Sequence, residues 1–175
     1  MPLGASQFNR GIQIWEKIMN EWTFNELVFR LEKSVLPVIQ LWQEELKRDY
    51  PNTQILLSAV RSDNHPHLPH KFSYNISINC LEKGASKHKF GDLVLSINLS
   101  QLDLEHQPVI SAYVGMLVDE ESGDDWGVHP ISVLFSHNQK VDNEVLAKLD
   151  DALPNLYQAL RKSLGSTGVK QVRIQ

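Results

Sequence analysis

The run Phe72-Ser73-Tyr74-Asn75-Ile76-Ser77-Ile78-Asn79-Cys80 decides the fold. Its large apolar side chains fall on every second residue, with only Ser and Asn between them. A pleated strand turns successive side chains to opposite faces, so this run predicts a strand with one face on a core and the other carrying small polar groups. A second run repeats the pattern, with Leu93, Leu95, Ile97 and Leu99 on one phase and Val94, Ser96, Asn98 and Ser100 on the other. A loop with Gly84 and Gly91 lies between them, which predicts a hairpin. With both apolar sets on one face, antiparallel pairing must match like phases, for example Asn79 with Val94, Ser77 with Ser96 and Asn75 with Asn98.

Outward from this hairpin the alternation predicts three further strands. They are Thr53 to Arg61, Val109 to Val118 and Val128 to Ser136. The fourth strand is apolar on both phases except at Ser111 and Gly115, as in a strand covered on both faces. Pro130 puts the fifth near an edge, or starts it after the proline.

Helical periods flank the strands. Phe8, Ile12, Trp15, Met19 and Trp22 recur at steps of three and four, predicting an amphipathic helix over Ser6 to Asn20 whose stripe faces the core or a dimer partner. Thr23 and Glu26 have capping-box spacing and start a second helix running toward Arg48. Pro37 lacks the donor a helix interior needs, so a break is expected near Val35 and Leu36. Asp142 caps a third helix bearing Leu146, Leu149, Leu153, Leu156, Leu160 and Leu164. Pro154 should bend it and Gly165 close it, leaving Val169 to Gln175 as an edge strand or a frayed end.

The expected architecture is therefore a single α+β domain over residues 1–175, with 1–6 and 168–175 as the ends prone to fray. It has two N-terminal helices, about five mostly antiparallel strands in a meander, and one bent C-terminal helix packed on the sheet. A composition of 42% hydrophobic and 22% charged residues is that of an ordinary globular chain. The formal net charge of −4 gives no pull toward phosphate backbones, which argues against nucleic acid. Cys80 is the single cysteine, so an intrachain disulfide and a Cys-rich zinc site are both excluded. That usage fits a reducing cytoplasm, and no apolar stretch reaches the length of a membrane span.

Three groups of residues qualify as sites. The Ser/Asn phase of the central hairpin, Asn75, Ser77, Asn79, Ser96 and Asn98, forms an uncharged polar patch that can meet a partner without desolvating lysines and glutamates. Glu120, Glu121, Asp124 and Asp125 make an acidic hairpin tip lacking the calcium-loop pattern, while Lys83, Lys87, His88 and Lys89 make a basic one. His65, His67 and His70, in a proline-stiffened connection beside Asp63, can supply imidazoles to a transition metal, and His129 can join them if the loops meet.

Each group also has a plain structural account, as solvated strand, hairpin tip and connection. Cys80 shares the apolar phase and is expected buried rather than nucleophilic. No phosphate-loop, dinucleotide, nucleophile-elbow or zinc-protease pattern occurs, which leans away from an enzyme. The expectation is a non-enzymatic protein-interaction module of adaptor, chaperone-like or inhibitor type, without a cofactor, binding another protein or itself as a homodimer. The alternatives are a metal-dependent hydrolase or metal-binding protein using the histidine loop, and a small-ligand carrier with a pocket between sheet and helices.

Overall fold

The computed structural model describes residues 23–63, 72–82, 92–103, 105–119, 126–137 and 141–174. Helix α1, Phe24–Ser34, starts where the capping box places it. The Glu26 amide donates to Thr23 Oγ1 at 3.2 Å and the Thr23 amide donates to Glu26 Oε2 at 2.8 Å, so two otherwise unpaired amides are satisfied. The break falls at Val35, after which α2 spans Leu36–Asp49 with Pro37 in its first turn. There the missing proline N–H costs nothing, because first-turn amides lack intrahelical acceptors. The backbone stays helical through the break, with Val35 N–H donating to the Leu31 carbonyl and Ile39 N–H to the Val35 carbonyl. Buried Val35 is thus a joint between two helices packed on one core. The helix predicted over Ser6 to Asn20 lies outside the described residues.

Five strands form one antiparallel sheet in chain order: β1 Thr53–Ser62, β2 Phe72–Glu82, β3 Asp92–Gln101, β4 Val109–Asp119 and β5 Trp126–His137. The expected hairpin register holds, with Asn75 opposite Asn98, Ser77 opposite Ser96 and Asn79 opposite Val94. β5 is an edge, as Pro130 requires, and begins before that proline. It pairs with β4 through two register shifts, the second of them beside the Gly115 and Pro130 pair. A proline that cannot donate to the ladder is accommodated where the ladder is already interrupted.

Helix α3, Asn143–Ile174, begins at Asp142, whose Oδ1 accepts from the Val145 amide at 2.9 Å. Pro154 sits in its interior, where it removes one backbone hydrogen bond. Two expectations fail here. Gly165 does not end the helix, and Val169 to Ile174 are helical rather than strand or frayed. An interior glycine costs about 1 kcal/mol relative to alanine, a modest penalty for a helix already anchored by buried Leu153, Leu156, Leu160 and Leu164.

The three described helices pack on the same face of the sheet. α2 lies over β1 and β2, α1 touches β3, and α3 crosses β3, β4 and β5. The core is the expected apolar phase, Tyr74, Ile76, Ile78 and Cys80 from β2 and Leu93, Leu95, Ile97 and Leu99 from β3. Leu27, Leu31, Ile39, Leu46, Leu149, Leu156 and Leu160 close over it. No described helix is long and apolar enough to cross a membrane.

Candidate functional site

With the helices on one face, the opposite face of the sheet is built from the remaining phase of each strand. Ladder register aligns Ser58, Ser77, Ser96 and Tyr113 in one row, and Val60, Asn75, Asn98 and Ser111 in the next. From Gln54 to Ser62, Ser73 to Leu81, Val94 to Ser100 and Val109 to Gly115, no outward position carries a charge. Solvated sheet faces commonly bear lysine and glutamate, so an unbroken uncharged field spanning four strands is the distinctive surface of this fold.

Its polar groups bond chiefly to one another. Asn75 Nδ2 donates to Ser96 Oγ at 2.7 Å and to Asn98 Oδ1, and Ser96 Oγ also lies 3.3 Å from Asn98 Oδ1. The Ser58 and Ser77 hydroxyls share a hydrogen bond at 2.8 Å. Such cross-strand pairs lock side chains that would otherwise rotate freely in water. At the centre Ser77 and Ser96 are 5% and 3% exposed, so they are buried rather than solvated as expected. Val94, on the same outer phase of β3, is also only 5% exposed, and the Ser77 and Ser96 hydroxyls are hydrogen-bonded, so the centre of this face is buried and its open part lies toward β1. The amide oxygen of Asn79 is shielded from solvent and accepts no hydrogen bond. Toward β1 the face turns apolar and open, with Leu56 43% and Val60 58% exposed.

Asn75, Ser77, Asn79, Ser96 and Asn98 are therefore brought together on one surface. Ser58, Ser111 and Tyr113 join them unanticipated. Their signal was the outward phase of β1 and β4, but only the register places those phases beside the central Ser/Asn rows. His65, His67, His70, Glu120, Glu121, Asp124 and Asp125 lie outside the described residues, as do the basic-loop residues Lys83, Lys87, His88 and Lys89. Among the described residues no group of three His, Cys, Asp or Glu side chains could hold a metal ion. Cys80 is buried on the core side, where its surroundings are apolar.

A second polar cluster, invisible in the sequence, ties α2 to α3. Trp42 stacks on Tyr157 with ring centroids 4.6 Å apart. The Tyr157 hydroxyl donates to Glu45 at 2.6 Å and accepts from Arg161 at 3.1 Å, while Arg161 also bonds Asp49 at 2.8 Å. Burial and the bond to Glu45 push the Tyr157 pKa up, and the Arg161 guanidinium holds the Asp49 carboxyl below the usual carboxylate range. The bonds to Glu45 and Asp49 cross from α3 to α2, and the Arg161–Tyr157 bond within α3 holds the two donors together, so the cluster acts as a clamp.

Elsewhere the Tyr74 hydroxyl is buried in the core without a hydrogen-bond partner. Burial, with the nearby Glu32 charge, pushes its pKa up to about 12. No family model, curated protein or solved structure matches this chain.

Proposed function

We propose that the chain is a non-enzymatic protein-interaction module of adaptor, chaperone-like or inhibitor type, and that the outer sheet face is its contact surface. The observation that carries this is the uncharged field over β1 to β4, with its polar groups pre-bonded and its rim apolar at Leu56 and Val60. A partner covering this field strips water from few charges and orders few flexible side chains, which are the main costs of association. The acidic residues Glu120, Glu121, Asp124 and Asp125, between β4 and β5 in the sequence, would steer the encounter.

The test is affinity purification from the native host, comparing the wild type with a Ser100→Lys/Ser111→Lys variant that puts two ammonium groups on the field. A stoichiometric protein recovered with the wild type and lost with the variant supports the proposal. Recovery of a lone metabolite or bound transition metal in place of a protein refutes it.

A further inference from the structure

The two edges of the sheet differ in how well they are guarded. β5 carries Pro130 and two register shifts, devices that stop a further strand from adding. β1 pairs with β2 over ten residues without a shift and has no other strand neighbour among the described residues. It contains no proline and no lysine. Its single charge, Arg61, is held in place by Asp63 at 2.8 Å and Asn25 at 2.7 Å. One free-edge group is satisfied from within, since Gln43 Nε2 donates to the Ile55 carbonyl at 3.2 Å. Because alternate residues turn their main-chain groups to the same side, Leu57 and Ala59 face that edge as well.

We infer that β1 pairs antiparallel with β1 of a second copy of this chain, about a two-fold axis at Ser58. The sequence Gln54-Ile55-Leu56-Leu57-Ser58-Ala59-Val60-Arg61-Ser62 is self-complementary about that centre. Leu56 meets the partner's Val60 and Val60 meets the partner's Leu56. The two exposed apolar residues at the open rim therefore cover each other, while Leu57 and Ala59 exchange the main-chain hydrogen bonds. A centre at Leu57 or Ala59 sets both apolar residues against polar ones. A centre between residues turns the outer face of one sheet toward the helix side of the other. No like charges face across the axis, since Arg61 lies opposite Ile55. One strand pair buries less than the roughly 1,600 Å² of a standard stable interface, so the dimer is reversible and concentration-dependent.

Sedimentation equilibrium of the full chain, from low-micromolar to near-millimolar concentration, should show a monomer–dimer equilibrium. Leu56→Lys and Val60→Glu, both at exposed positions, should each raise the dissociation constant roughly tenfold. The double variant Leu56→Lys/Val60→Glu should recover dimerisation, because each introduced lysine then faces an introduced glutamate across the axis. A merely destabilising substitution would not be rescued in this way. Ser58→Cys should crosslink under mild oxidation and Gln54→Cys should not, with folding of each variant checked by circular dichroism. A wild type that stays monomeric throughout, a double variant as dissociated as the singles, or absence of the Ser58→Cys crosslink in the folded variant each overturns the inference.

Discussion

Replacing Asn75 by aspartate probes the centre of the outer face with almost no change of shape. The Asn75 amide nitrogen donates to Ser96 Oγ and Asn98 Oδ1, with the Ile97 carbonyl a further 3.5 Å contact. An ionised carboxylate presents only acceptors to these oxygens. Two hydrogen bonds are lost at about 0.5–1.5 kcal/mol each, and acceptor–acceptor repulsion at a half-buried position adds to the loss. The expected destabilisation at pH 7 is about 2–4 kcal/mol. For a chain of this size that lowers Tm by roughly 5–15 °C.

The penalty should depend on pH. A protonated carboxyl can donate to Asn98 Oδ1, so the folded state favours the proton and raises the introduced pKa above its unfolded value of about 3.9. Between those two values the folded state binds more protons than the unfolded state, and stability falls as pH rises. The gap between wild type and Asn75→Asp should therefore be smallest at acid pH and widen from about pH 4 upward before levelling off. Urea unfolding of both proteins across that range measures it. A gap that is constant with pH, or that widens toward acid, would refute the donor role assigned to Asn75.

Three other substitutions separate further contributions. Tyr157→Phe keeps the Trp42 stack and frees Glu45 and Arg161 to be resolvated, at a cost of about 0.5–1.5 kcal/mol, whereas Tyr157→Ala should cost about 3–5 kcal/mol. Equal losses in chemical denaturation would contradict stacking and burial as the stronger component of the clamp. Tyr74→Phe removes a buried hydroxyl without a partner and should leave stability at pH 7 unchanged or higher. It should also abolish an alkaline loss. The raised folded pKa means that this stability is present below about pH 10 and disappears as pH climbs through about 12, which pH-dependent melting would show. Thr23→Ala breaks the capping box and should cost about 1 kcal/mol, read as a lower urea midpoint with an unchanged m-value.

Local chemistry alone makes much of the fold legible in the sequence. The alternation in Phe72 to Cys80 and Leu93 to Ser100 set which side chains meet the core, and its period of two left only registers that pair Ser and Asn with their like phase. Thr23, Pro37 and Asp142 act within a turn of chain, so their effects on helix boundaries could be read directly. The helix continues past Gly165 because a glycine's local penalty is outweighed by the buried leucines that anchor the helix before it.

The sequence by itself determined the strand phases, the helix starts and the uncharged character of the outer Ser/Asn rows, because each depends on neighbours within a few residues. Tertiary structure alone decided that the three described helices share one face, that Ser58 and Tyr113 flank Ser77 and Ser96, and that β1 rather than β5 is the regular edge. It alone also brought Trp42, Glu45 and Asp49 to Tyr157 and Arg161. These are relations between residues far apart in the chain, fixed by how the apolar faces of separate elements close on one core.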